Sequence, residues 1–328
     1  MELRTLGRSG VRVTSLCLGT MTFGNEADEA TSKQIIDRYL AAGGNFVDTA
    51  DVYSRGASEE IVGRALKSRR DGIVLATKGR MPMSDDPNDR GASRRHLTRA
   101  VEASLRRLQT DRIDLYQIHW PDTTVAPEET LSALDDLVRS GKVLSVGVSN
   151  YLGSQLATAI ALCDRYGWSP VVSLQPQFSL ISREIELEIL PLCRREGLAV
   201  LPWSPLGGGV LTGKYRAGNA PDAQTRLGDS EAQARRRLTE RNMAIADEVA
   251  RIGASTNHSS AQVALNWVLH HPGVTSPILG ARTIDQLEDN LGAEGWQLDI
   301  ADIEALEKVS RVPRSYPHDM YRVLGIEI

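Results

Sequence analysis

Three cysteines, Cys17, Cys163 and Cys193, are all that 328 residues contain. Widely spaced and odd in number, they exclude a disulfide framework and match no zinc pattern. Reduced, buried thiols are expected, because free cysteine behaves as a small hydrophobe. No apolar run reaches spanning length, and Met1-Glu2-Leu3-Arg4 is not the start expected of a signal peptide. A basic tract is missing too, and the formal net charge is −4. Neither nucleic acid nor an anionic membrane is therefore expected as a partner. No low-complexity segment or second domain is visible. These absences leave one cytoplasmic α/β protein, with 41% hydrophobic residues to fill a large core.

What is present is a repeat of strand and helix. Leu3–Leu6 and Val11–Thr14 flank Gly7-Arg8-Ser9-Gly10 and predict a hairpin. Short apolar strands follow at Leu16–Leu18, Phe46–Asp48, Ile73–Thr77, Ile113–Ile118, Leu144–Val148, Val171–Leu174, Ala199–Pro202 and Val274–Leu279. Amphipathic segments lie between them, such as Leu97, Val101, Leu105 and Leu108. After Phe46–Asp48 the next helix is predicted to open at Ser58 as N-cap, with Glu59 and Glu60 in its first turn. Strands apolar along their whole length, alternating with helices, mean a parallel sheet covered on both faces. Eight such units predict a closed (β/α)8 TIM barrel in a single domain, residues 1–328.

The residues at the ends of successive strands mark the period and one insertion. Asp48 to Lys78 is 30 positions, then His119 follows after 41, Asn150 after 31, Gln175 after 25 and Trp203 after 28. Gly280 lies 77 further on. The surplus after the seventh strand holds a loop over 207–230 and a helix with Leu238, Ile245, Val249 and Ile252 on one side. A regular helix, Ser259–His271, comes next, and an extra helix at Ile300–Val309 precedes an irregular tail. Long loops on this face of a barrel usually serve function.

Asp48, Tyr53, Lys78 and His119 fall at the C-terminal ends of units two, three and four, the end of a barrel where chemistry sits. Singly, each has a plain structural reading: a turn cap, a loop phenol, a solvated charge, a core histidine. Together they make a proton-delivering group. A phenol has a pKa of about 10, and a nearby ammonium lowers it by favouring phenolate. A carboxylate holds that ammonium, and an imidazole beside the phenol orients a carbonyl oxygen.

Several long motifs accompany these four residues. RTLGRSGVRVTSLCLGTMTFG opens the chain, LATKG stands at 75–79, SLRRLQTDRIDLYQIHW at 104–120 and GVSN at 147–150. SLQPQFSL follows at 173–180, WSPLGGGVLTGKY at 203–215 and ILGARTIDQLEDN at 278–290. In these the chain resembles the aldo-keto reductase superfamily along its whole length, in the branch with bacterial reductases and potassium-channel β-subunits. The resemblance implies a barrel that binds NADPH and reduces small carbonyl substrates, with Asp48, Tyr53, Lys78 and His119 as the catalytic tetrad. It implies that Ser149, Asn150 and Gln175 hold the carboxamide and that Trp203 stacks on the nicotinamide. Thr20, Met21 and Asp48 belong to the same implied cofactor site. A non-catalytic, dinucleotide-binding regulatory subunit is the rival reading, disfavoured by the presence of His119. A keto-sugar-nucleotide reductase is a narrower one, and a monomer or weak homo-oligomer is expected.

Gly208–Tyr215 nearly spells a P-loop, but Tyr215 replaces the hydroxyl that would bind magnesium and no clear acid accompanies it. What survives is a glycine-rich loop with a lysine, able to approach a pyrophosphate. The resemblance places Ser204, Pro205, Leu206, Gly208 and Lys214 against the cofactor there. No GxGxxG motif occurs, so the dinucleotide is not held in the Rossmann manner. At the adenosine end the resemblance points to Gly280, Arg282, Gln286, Asp289 and Asn290, with Arg282 as the cation for a 2′-phosphate and Arg226 as a second candidate. No metal site is expected.

Overall fold

The structure is a computed structural model that describes residues 1–215, 228 and 231–326. Ten strands lie among them: β1 (Leu3–Thr5), β2 (Arg12–Thr14), β3 (Cys17–Gly19), β4 (Phe46–Asp48), β5 (Val74–Gly79), β6 (Ile113–Ile118), β7 (Val143–Ser149), β8 (Val171–Gln175), β9 (Ala199–Val200) and β10 (Ile278–Gly280). The first two pair antiparallel, as the predicted hairpin. The other eight form one parallel sheet in the order β10-β3-β4-β5-β6-β7-β8-β9. Its ends meet through backbone hydrogen bonds: Thr275 N–H donates to Val200 O at 2.9 Å and Ile278 N–H to Pro202 O at 2.8 Å. The result is a (β/α)8 barrel whose last seam is looser than the rest.

That seam corrects the predicted strand at Val274–Leu279, since regular pairing begins only at Ile278. Pro277 has no N–H to give to a ladder, and Thr275 and Ser276 both turn theirs to Val200. Elsewhere the pleat sorts side chains inward and outward. Inside the barrel, Cys17, Phe46, Ala76, Leu115, Val172, Leu201 and Ile278 pack with Leu6 and Val13 of the hairpin. The hairpin thus fills the N-terminal end, leaving the C-terminal mouth for polar groups. Gly7 permits this approach: its φ is +54°, and a Cβ there would stand 2.2 Å from Val172 O.

Outside, Leu18, Val47, Leu75, Tyr116 and Val146 meet the apolar faces of the surrounding helices. Each such aliphatic side chain contributes about 1.5–3 kcal/mol by leaving water. Helix Arg94–Leu108 is typical: Ser93 caps it by accepting from His96 N–H, and Leu97, Val101, Leu105 and Leu108 form its buried stripe. The helix after β4 does not start as predicted. It spans Ala57–Leu66 with Gly56 at the N-cap. Ser58 is buried in the first turn, and its hydroxyl bonds Thr20 O at 2.8 Å instead of the helix backbone. The insertion after β9 contains a 3-10 turn at Gly207–Thr212, then helices Glu231–Arg237 and Glu240–Thr256. Leu238 lies just ahead of the last of these, packed beside Ile245, Val249 and Ile252. The tail carries one further helix, His318–Val323, where irregular chain was expected. Among the described residues no helix is long and apolar enough to cross a membrane.

Candidate active site

Lys78 is the hub of the mouth. On β5 it alternates with Thr77 and Gly79 and points inward, completely buried. Its ammonium donates to Asp48 Oδ2 at 2.5 Å, to Thr49 O at 2.8 Å and to the Tyr53 hydroxyl at 3.2 Å. An ammonium has three donors, and all three are spent here. Burial opposes the charge, but the facing Asp48 carboxylate and Tyr53 outweigh it and raise the Lys78 pKa above its ordinary value. The ion stays charged, and removing one partner of so buried a pair costs about 3–5 kcal/mol. The other carboxylate oxygen of Asp48 accepts from Gln117 Nε2 at 3.1 Å and Gln175 Nε2 at 2.9 Å. Asp48 is therefore fixed from both sides and is not a turn cap.

Tyr53 hangs on the loop after β4, which takes an unusual path. Ser54 and Arg55 adopt φ of 48° and 53°, a region that costs most side chains energy. The Ser54 hydroxyl donates to Phe23 O at 2.7 Å and holds the turn. His119 stands edge-on to Tyr53, ring centroids 5.8 Å apart and planes at 81°. Its backbone N–H donates to Gly79 O at 3.0 Å, tying it to the lysine strand. Desolvation, then the positive charges of Lys78 and Arg80, push the imidazole pKa down to about 3. It is neutral at physiological pH, a hydrogen-bond partner rather than a charge.

The residues expected at the nicotinamide end form one network. Ser149 Oγ donates to Gln175 O at 2.8 Å, and Asn150 Nδ2 donates to Ser149 Oγ and to His119 O. Trp203 Nε1 donates to Asn150 Oδ1 at 3.0 Å, which sets the indole plane. Asn150 and Ser204 are both left-handed, with φ of 62° and 56°. Two strained non-glycine residues at strand ends are a common mark of a functional site. Thr20 is buried and bonds Asp48 O, whereas Met21 is exposed. Pro205 is buried, and Leu206 packs partly buried under the insertion. Gly208 and Gly209 take φ of 70° and 95°, and a Cβ on Gly209 would stand 2.6 Å from Lys214 Cε. Only glycine fits there, so the lysine lies across bare backbone.

At the adenosine end, Gly280 is exposed at the tip of β10. Arg282 pairs with Glu26, Nη2 to Oε1 at 3.4 Å, and its N–H donates to Gln286 Oε1. Asp289 accepts from Gln262, and Asn290, nearly buried, donates to Gly280 O at 3.2 Å. Arg226 lies outside the described residues. Among those residues no cluster of His, Cys, Asp and Glu is arranged to hold a metal.

The family model described as "Aldo/keto reductase family" matches residues 15–311. The chain belongs to the aldo/keto reductase family. It is 39% identical to an uncharacterized oxidoreductase, YrpG, of Bacillus subtilis, over 98% of this chain and 99% of that one. A probable voltage-gated potassium channel subunit beta of Oryza sativa subsp. japonica shares 35% identity over 97% and 98%. Versiconal hemiacetal acetate reductase of Aspergillus parasiticus shares 35% over 94% and 96%.

Three residues of this aldo/keto reductase site escaped the sequence reading. Gln117 lies opposite Lys78 in the β5–β6 register and braces Asp48. Its signal was an uncharged polar side chain on the barrel-facing side of the strand, two positions before His119. Arg80 follows β5 with φ of 110°, strained for a side chain, and its charge reaches His119. Arg237 places Nη1 3.4 Å from Ser204 Oγ and lies against Gly208, a second cation beside the glycine-rich loop.

Proposed function

We propose that this protein is an NADPH-dependent reductase of aldehyde and ketone carbonyls, acting in the cytoplasm as a monomer or weak homo-oligomer. The observation that carries this reading is the Lys78 ammonium, buried and bonded at once to Asp48 and the Tyr53 hydroxyl. A fixed cation at 3.2 Å stabilises phenolate, so Tyr53 gives up its proton more readily than a free phenol. Asp48 keeps the ammonium in place, while Gln117 and Gln175 keep Asp48 in place. Neutral His119 has a ring N–H to offer a carbonyl oxygen and does not compete with Tyr53 as an acid. Proton delivery to the developing alkoxide then falls to Tyr53.

The residues present fit a dinucleotide. Gln175 spends its amide N–H2 on Asp48 and Gln117, leaving its carbonyl oxygen to accept from a carboxamide. Trp203, locked by Asn150, offers a flat face for stacking. Gly208, Gly209 and Lys214 suit a pyrophosphate, since backbone without side chains admits close approach and the lysine supplies charge. When bound, NADPH supplies the hydride. Arg282 fits the 2′-phosphate, because guanidinium binds phosphate oxygens by charge-assisted hydrogen bonds. The test is NADPH oxidation measured across a panel of aldehydes, diketones, quinones and keto-sugars. Turnover of one class supports the reductase and names its substrate. Tight NADPH binding without turnover of any would mark a binding protein instead.

A further inference from the structure

Asp51 is completely buried two residues before Tyr53, and neither carboxyl oxygen has a hydrogen-bonding partner of good geometry. Its backbone joins the two halves of the site. The Asp51 N–H donates to Lys78 O at 3.1 Å, and the Tyr53 N–H donates to Ala50 O at 3.2 Å. The loop that carries the proton donor is thus stitched to the strand that carries the lysine, and the stitch is at Asp51.

The carboxyl group enters a closed space on the outer side of β5. A Cβ added to Gly79 would stand 1.9 Å from Tyr116 Oη and 3.5 Å from Asp51 Oδ2. That glycine leaves room for the Tyr116 hydroxyl, Asp51 Oδ2 lies in ordinary contact range of the same spot, and the buried Tyr116 hydroxyl likewise has no partner. Beyond them lies Glu59 of helix Ala57–Leu66, also completely buried. It pairs with Arg107 of helix Arg94–Leu108 at 2.7 Å and accepts from the Thr77 hydroxyl at 2.6 Å. Glu59, Arg107, Lys78 and the neutral Tyr116 are the titratable groups that face Asp51 from the packed elements. Desolvation, then the negative charge of Glu59, raise the Asp51 pKa to about 8, although the Val52 N–H, Arg107 and Lys78 pull it down. Two carboxylates in one dry space cannot both ionise cheaply. Glu59 has the arginine; Asp51 does not.

We propose that Asp51 is a positioning residue whose uncharged carboxyl lets the Tyr53 loop close onto β5, and whose ionisation beside Glu59 displaces that loop and withdraws Tyr53 from Lys78. The proposal rests on the reading of Tyr53 as the proton donor. It sets an alkaline limit on turnover in a residue that touches neither substrate nor cofactor.

The experiment compares wild type, Asp51→Ala and Asp51→Asn for carbonyl-dependent NADPH oxidation as pH rises from about 6 to about 10. Wild-type kcat should fall about tenfold per pH unit above about 8, with NADPH affinity little changed. Asp51→Ala should lose kcat across the range. Asp51→Asn, equal in shape and permanently uncharged, should restore neutral-pH turnover and lack the alkaline limb. A limb that persists in Asp51→Asn, or no limb in wild type, overturns the proposal. If no carbonyl is turned over, the reductase reading has failed, and thermal stability decides on Asp51 separately. Folded Asp51 keeps a proton that the unfolded chain releases above about pH 4, so wild type should lose stability relative to Asp51→Asn as pH climbs towards about 8. A gap that ignores pH overturns the protonated assignment. Should Asp51→Asn not fold, the infrared carbonyl stretch of a protonated carboxyl decides in wild type. Its presence at pH 7 and loss above about pH 8 supports the proposal; its absence at pH 7 overturns it.

Discussion

Replacing Arg282 with alanine should separate the two nicotinamide cofactors, and the structure sets the size of the effect. Arg282 is paired: its guanidinium lies 3.4 Å from Glu26, with side chains 27% and 31% exposed. A pair this open is worth about 0.2–1 kcal/mol. A charge-assisted contact to a 2′-phosphate is worth about 1.5–3 kcal/mol. Binding NADPH would exchange the first for the second, for a net gain of about 0.5–2.8 kcal/mol. Arg282→Ala should then weaken NADPH about 2- to 110-fold and NADH far less. Glu26 competes for the guanidinium and repels the phosphate, so Glu26→Gln should tighten NADPH by about 1.5- to 5-fold without moving NADH. Both effects should shrink as salt is raised, because the pair is partly exposed. Titrating each cofactor into wild type and both variants by calorimetry reads all of this. Equal losses for NADH and NADPH in Arg282→Ala would rule out a 2′-phosphate contact and leave Arg282 as support for the fold.

Trp203 should report the cofactor directly: binding quenches indole fluorescence, and Trp203→Leu should remove most of that quench against the background of the other tryptophans. An unaltered quench would remove Trp203 from the nicotinamide face. His119 makes a pH prediction, since its folded pKa of about 3 lies below the ordinary histidine value. A base held neutral in the fold takes up its proton on unfolding, so stability should fall as pH drops below about 6.5 and continue to fall towards about 3. His119→Asn should flatten thermal stability against pH in that window; an unchanged slope would mean that His119 titrates normally.

Much of this was legible in the chain because parallel strands buried on both faces read as short apolar runs, and their ends then name the mouth. Asp48, Lys78 and His119 stood out because each is polar immediately where such a run stops. What stayed hidden depends on contacts between strands or on distant pairing. Gln117 braces Asp48 only through the register that sets it opposite Lys78. Arg282 and Glu26 are 256 positions apart. Ser58 looked like a helix cap, yet burial beside Thr20 and Thr49 turned its hydroxyl to the tertiary structure. Ser54 and Arg55, just after Tyr53, carry no sign in their residue types of the path they take. Their φ values show that the turn needs the left-handed region and that Ser54 and Arg55 bear the strain.

The proposed acid is Tyr53, activated by the Lys78 ammonium that Asp48 holds in place. Tyr53→Phe probes that role alone, because it deletes the hydroxyl at 3.2 Å from the ammonium and keeps the ring against His119. Steady-state kcat with a turned-over carbonyl should fall by at least ~100-fold, the usual contribution of a general acid. The dissociation constant for NADPH should stay nearly unchanged. A Tyr53→Phe variant that keeps more than half of wild-type turnover would exclude Tyr53 as the acid.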